Sequence, residues 1–269
     1  MQNTNHILLV KPAHFTFNKE TAVSNAFQNV LEEKEEVIKK NVLNEFENVV
    51  TLLKSKNVDV IVVEDTPDPI KPDAIFPNNW VSFHADGTVI LYPMCAPNRR
   101  EERRLDVLEM LKKKFKIGNV VDLSKYEAEE LFLEGTGSIV FDHPNKMAYA
   151  CISPRTDEQL FIELCNYLKY KPIHFISEDK NGKQIYHTNV MMCIAEKFAV
   201  ICLDSITNKN ERAQVVASLE KTNHEIVDIT FEQMNHFAGN MLELKDSNGK
   251  QLLVMSKSAY DSLTDGQKA

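Results

Sequence analysis

Four stretches of the chain put polar residues at the head of an apolar run, and they recur at a near-constant interval. They are Asn78-Asn79-Trp80-Val81-Ser82-Phe83, Glu134-Gly135-Thr136-Gly137-Ser138-Ile139-Val140, Ile185-Tyr186-His187-Thr188-Asn189-Val190-Met191-Met192 and Ala238-Gly239-Asn240-Met241-Leu242-Glu243-Leu244. From Asn79 to Gly135, His187 and Asn240 the steps are 56, 52 and 53 residues, which is a repeat period. The pattern predicts a polar-headed strand at each of the four places.

A second apolar run follows each head: Thr88–Tyr92, Met147–Ile152, Phe198–Leu203 and Gln251–Met255. Turn residues lie between the runs at Asp86-Gly87, Asp142-His143-Pro144-Asn145 and Asn248-Gly249, so each pair predicts a β-hairpin. Helical periodicity comes next, plainest over 104–111 and 158–168, and then a short strand at 119–122, 172–176 or 225–228. The repeating unit is therefore ββαβ. The N-terminus reads as a partial unit: a strand at 6–10, a long helix from about Ala26 to Lys54, and a strand at 58–63.

A ring of such units buries its edges when the last strand pairs with the first. The expected fold is thus α/β, a five-bladed α/β propeller of ββαβ units with pseudo-fivefold symmetry, forming one domain over residues 1–269. In that fold, equivalent strand heads face a central channel. The period places a fifth head at roughly residue 293, so the closing C-terminal strand is expected outside these residues.

Composition narrows the partners. A net charge of −8 argues against nucleic acid, and the run Glu32-Glu33-Lys34-Glu35-Glu36 reads as the solvated face of the first helix. No apolar run is long enough to span a bilayer and none follows a basic N-terminal region, so the expectation is a cytoplasmic protein without a membrane partner. Five cysteines without C-x-x-C spacing point to neither disulfides nor zinc, and no metal or cofactor is expected. Homo-oligomerisation stays open.

The strand heads, together with Asp73-Ala74-Ile75-Phe76-Pro77-Asn78-Asn79-Trp80, Pro97–Arg103 and Ser153-Pro154-Arg155-Thr156, resemble the amidinotransferase, or pentein, superfamily. Val10–Asn18, Glu20–Gln28 and His236–Met241 resemble its citrulline-utilisation hydrolases, beside the arginine deiminases and dimethylarginine dimethylaminohydrolases. The resemblance implies an enzyme acting on the guanidino or ureido carbon of a free amino acid, citrulline or an arginine derivative. In such enzymes a cysteine thiolate attacks that carbon and a histidine protonates the departing nitrogen, then activates water against the covalent intermediate. Resonance makes these carbons poor electrophiles, so both groups are needed.

The resemblance assigns His187 as general acid and base, and Glu134 as the carboxylate that orients it or binds substrate nitrogens. Thr136 and Gly137 depart from the usual Glu-Gly-Gly-Asp signature. Asp73 matches the acceptor for the scissile group, and Asn79 and Asn240 stand at strand heads. Arg155, with either Arg99 or Arg100, matches positions that bind the α-carboxylate, a task suited to the planar guanidinium fork. Asn189 stands where guanidine-acting members often carry aspartate; a neutral amide there tilts the reading toward a ureido substrate. The family nucleophile belongs to the closing strand, and none of Cys95, Cys151, Cys165, Cys193 and Cys202 is a credible substitute. Two further classes stay open, an amidinotransferase and a catalytically inactive binding protein for arginine-like or citrulline-like amino acids. A propeller-type interaction scaffold would have no use for the polar heads.

Overall fold

The computed structural model describes residues 1–22, 25, 28 and 35–269. The predicted start of the first helix and residues Glu32, Glu33 and Lys34 of the acidic run lie outside the described residues, as do Val23, Ser24, Ala26 and Phe27. Spatial contacts group the chain into two compact units: Asn5–Gly135 with Asp246–Asn248, and Met1–Thr4 with Thr136–Lys245 and Gly249–Ala269.

In the first unit, β1 (His6–Lys11) runs parallel to β2 (Asp59–Glu64), joined through helix α1 (Glu35–Ser55). Next comes a hairpin of β3 (Val81–Phe83) and β4 (Thr88–Leu91), turned at Gly87, whose φ of +88° suits a residue without Cβ. Helices α2 (Pro97–Arg100) and α3 (Leu105–Leu111) follow, and β5 (Asn119–Asp122) pairs parallel with β4. This is the predicted ββαβ unit.

Helix α3 buries the face carrying Val107, Leu108 and Leu111. Leu108 joins a cluster with Trp80, Val81, Val89, Leu91 and Met94, while Val107 and Leu111 pack with Ile61. Each such side chain contributes about 1.5–3 kcal/mol of burial, which holds the loops flanking Trp80 and Met94 to a rigid base.

The second unit repeats the topology twice. After α4 (Gly135–Ser138), β6 (Val140–Asp142) is antiparallel to β7 (Met147–Cys151), and α5 (Glu158–Leu168) leads to β8 (Lys171–Phe175), parallel to β7. Asp157 caps α5 by accepting from the Leu160 N–H at 2.8 Å, as an Asp before an apolar-periodic run should. The next unit comprises α6 (Thr188–Met191), β9 (Met192–Ile194), β10 (Phe198–Ile201), α7 (Lys209–Lys221) and β11 (Glu225–Asp228), with the same antiparallel and parallel pairings. The short helix α8 (Phe231–Asn235) precedes the hairpin β12 (Leu242–Lys245) and β13 (Gln251–Val254), and α9 (Lys257–Ser262) follows it.

One structural expectation is corrected. The polar heads are not the first residues of strands. Three of them are short helical turns, Pro77–Asn79, Gly135–Ser138 and Thr188–Met191, each followed by a strand of only three residues. The hydrogen bonds explain it: Thr188 Oγ1 accepts from the Cys151 N–H at 2.8 Å and donates to Ser138 O at 2.5 Å, so the head is tied to its neighbours by a side chain in place of a strand ladder.

Candidate active site

The polar heads of the first unit meet around one guanidinium. Arg99, on the four-residue helix α2 that Pro97 opens, is only 3% exposed. Its Nε and Nη2 donate to the two carboxylate oxygens of Glu102 at 2.9 Å each, and Nη1 donates to Asn79 Oδ1 at 3.0 Å. Asp73 Oδ2 and Glu134 Oε2 each lie 3.7 Å from the same guanidinium. Glu134 is fully buried, and its Oε1 accepts from the Cys95 N–H at 3.0 Å. Asp73 Oδ2 also accepts from Asn18 Nδ2 at 2.7 Å. The structure brings Asp73, Asn79, Arg99 and Glu134 together, and adds Glu102 and Asn18, which sequence reasoning missed.

Arg100 goes elsewhere. It is half-buried, donates to the Met94 and Cys95 carbonyls at 3.1 and 3.4 Å, and lies near Glu127 and over the Phe132 ring. Of the two adjacent arginines, Arg99 is the one held among the acids.

Charge balance makes the cluster distinctive. Three carboxylates, Asp73, Glu102 and Glu134, face one guanidinium, so the set is anionic when all are ionised. Burial disfavours the charge on Arg99, but Glu102, then Glu134 and Asp73, more than offset it and raise its pKa. Burial pushes the Glu102 carboxyl up to about 7 against the pull of Arg99, and Asp73 and Glu134 add to the rise. An additional cation, or a ligand rich in N–H donors, fits such a set.

Glu134 is aimed by its neighbour. Gly135 has φ of +48°, and a Cβ there would lie 2.9 Å from Asn79 O and closer still to Asn78 O. Only glycine permits that approach.

In the second unit, His187 is buried and caps α6 from an extended backbone. Its ring lies 4.7 Å from that of Tyr186, and the Arg155 guanidinium stacks over Tyr186 at 4.6 Å from the ring centre. Arg155 is 3% exposed, and its backbone is pinned where Ser138 Oγ donates to Arg155 O at 2.9 Å. Asn240 is exposed and its Nδ2 donates to Asn189 O at 3.0 Å. The close turn before it depends on Gly239, where a Cβ would stand 2.5 Å from Val190 O. Tyr186, which sequence reasoning passed over, links the arginine to the histidine.

The cysteines divide cleanly. Burial pushes the thiols of Cys151, Cys165 and Cys193 up to about 12 and that of Cys202 up to about 11, whereas Cys95 is partly exposed. Thiolate is the reactive form, so a disulfide reagent at neutral pH should label one thiol of the native chain, Cys95, and all five in denaturant. Rapid labelling of a second site, mapped by peptide mass spectrometry, would contradict these placements. Among the described residues no cluster of three metal-binding side chains occurs, and no helix is long and apolar enough to cross a membrane.

Residues 11–269 match the family of N,N dimethylarginine dimethylhydrolase, eukaryotic. The chain belongs to this family. It thereby falls within the pentein, or amidinotransferase, superfamily. Solved structures agree on the fold. The apo structure of ArgZ, an arginine dihydrolase from the ornithine-ammonia cycle in Cyanobacteria, superimposes with a TM-score of 0.71 at 16% identity, covering 97% of this chain and 36% of ArgZ. AgrE bound to L-arginine gives 0.74 at 17% identity, over 98% of this chain and 35% of AgrE. A cysteine-to-serine mutant of the dimethylarginine dimethylaminohydrolase (DDAH) from Pseudomonas aeruginosa, complexed with citrulline, gives 0.61 at 15% identity, over 96% and 87%. This member of the dimethylarginine family thus spans about a third of the length of ArgZ and AgrE. No curated protein matches.

Proposed function

We propose that this protein hydrolyses a C–N bond at the guanidino or ureido carbon of a free amino acid, with an arginine derivative as the first choice and citrulline as the second. The observation that carries the reading is the set of three carboxylates around Arg99, Glu102 and Glu134 buried and Asp73 half-buried, which leaves anionic acceptors for a ligand's N–H groups. A cationic guanidinium complements that charge; Asn189 favours a neutral ureido group, and the carboxylates outweigh one amide. The family membership and the arginine-bound and citrulline-bound relatives support the same class. On this reading the five small sheets among the described residues are blades of a five-bladed α/β propeller.

The roles follow from chemistry. Asp73 and Glu134 accept N–H bonds from the group under attack, and Asn79 fixes Arg99 beside them. Arg155 pairs with the α-carboxylate, Asn189 and Asn240 shape the approach to it, and His187 donates a proton to the departing nitrogen. The same histidine, left neutral, takes a proton from the water that resolves the intermediate. We assign the attacking thiolate to none of the four buried cysteines. The second reading is a protein that binds such amino acids without turnover.

One experiment separates the two. The chain is incubated with L-arginine, N,N-dimethylarginine and L-citrulline while released amine and ligand binding are measured in parallel. Turnover that falls by about 10²–10⁴ in His187→Asn, with binding retained, is the expected result. Binding without turnover selects the second reading, and absence of binding to all three sinks both.

A further inference from the structure

Lys71 is fully buried, yet none of the roles above uses it. Its ammonium sits in a cage built by the loop it terminates. Nζ donates to Thr66 Oγ1 at 2.8 Å, Thr66 O at 2.9 Å and Pro69 O at 2.8 Å, and lies 3.3 Å from Asp65 Oδ1. Three donors meet four oxygens, and Asp65 Oδ2 is buried with no hydrogen-bond partner, so the cage has acceptors to spare. Arg104 Nη1, at 3.9 Å from Asp65 Oδ1, is the second cation near this carboxylate. Burying an ammonium is costly unless its donors are satisfied, and removing it would leave the buried Asp65 carboxylate with only the more distant Arg104.

The loop leads directly to a candidate site residue. Pro72 follows Lys71 and Asp73 follows Pro72; proline fixes its own φ and restricts the residue before it. The Ala74 N–H donates to Lys71 O at 3.4 Å and the Phe76 N–H to Asp73 O at 3.0 Å, so the turn beyond is continuous with the cage. A shift of the Lys71 backbone therefore passes to the Asp73 carboxylate, which must reach Asn18 and the neighbourhood of Arg99 at once.

We propose that Lys71 is a positioning residue, an internal cation whose oxygen cage sets where the Asp73 carboxylate stands. The link to ligand recognition rests on the function proposed above for Asp73. Misplacement by about 1 Å costs up to a hundredfold in such sites, so the effect of losing the cage should be large.

The test compares wild type, Lys71→Ala and Thr66→Val, the last removing one acceptor while leaving the ammonium. Amide exchange at Ala74 and Phe76 reads the turn without any ligand, and calorimetry reads L-arginine against L-norvaline, which lacks the guanidino group. In Lys71→Ala both amides should exchange about tenfold faster or more, and L-arginine affinity should fall about tenfold to a hundredfold while L-norvaline is unchanged. Ethylammonium should restore both readouts, and tetramethylammonium, which has no N–H, neither. Native exchange and native L-arginine affinity in a folded Lys71→Ala overturn the proposal. If that variant does not fold, Thr66→Val decides: a smaller loss selective for L-arginine supports the proposal, and equal loss of both ligands, or none, overturns it. If wild type binds neither amino acid, the proposed function fails, and the exchange readout alone decides the role of Lys71.

Discussion

Replacing Arg99 with alanine is expected to destabilise the unit containing it by about 3–5 kcal/mol, because it strips the cation from buried carboxylates without giving them another. The side chains of Glu102 and Glu134 are 1% and 0% exposed, so water cannot take over. Urea denaturation followed by the fluorescence of Trp80, the single tryptophan, reads this unit, since Trp80 is buried beside Asn79. The sign of the pH dependence is fixed. Without Arg99 the Glu102 carboxyl pKa rises further in the folded state, and an acid with a raised folded pKa loses stability as pH rises from its unfolded value through its folded one. For Glu102 that window runs from about 4.5 to 7 even with Arg99 present. The Glu102 part of the penalty should therefore be small below about pH 7, where that acid is protonated in both folded proteins, and grow as pH rises above 7. Glu102→Gln, which keeps one acceptor and removes one negative charge, should cost less. A loss below about 1 kcal/mol for Arg99→Ala would mean that Glu102, Asp73 and Glu134 do not depend on it.

Arg155→Ala should weaken binding of amino acids with a free α-carboxylate by about 2–4 kcal/mol, while their amides lose little. In affinity that is roughly 30-fold to 1,000-fold. The buried guanidinium stacks on Tyr186, a contact worth about 0.5–2 kcal/mol to the fold by itself, so a control is needed that shares the fold and lacks the charge pair. L-argininamide supplies it. Equal weakening of L-arginine and L-argininamide would assign Arg155 to holding Tyr186 and His187, and remove it from ligand binding.

The sequence disclosed most where local chemistry and periodicity agreed. Helix α5 was legible from its apolar period, and the hairpins were legible from Asp86-Gly87 and Asn248-Gly249, whose glycines both take positive φ. Four of the five cysteines, Cys151, Cys165, Cys193 and Cys202, are buried. The strand heads were misread in form, because turns of three or four residues are too short to show a helical period. The Arg99 and Glu102 pair was within reach, since residues three apart on a helix face each other, but it reads equally well as a solvated helix start. The Lys71 cage was out of reach, because two of its three hydrogen-bond acceptors are backbone carbonyls, which any residue carries.

On the proposed function, the carboxylates around Arg99 recognise the guanidino or ureido end of an amino acid. Calorimetric titration of the unaltered chain with L-arginine, repeated on Glu134→Gln, tests it most directly. Saturable one-to-one binding is expected, weakened by Glu134→Gln by about 1.5–3 kcal/mol, the worth of a hydrogen bond to a charged group, with L-norvaline affinity the same in both proteins. Tight L-arginine binding that survives Glu134→Gln unchanged would contradict it.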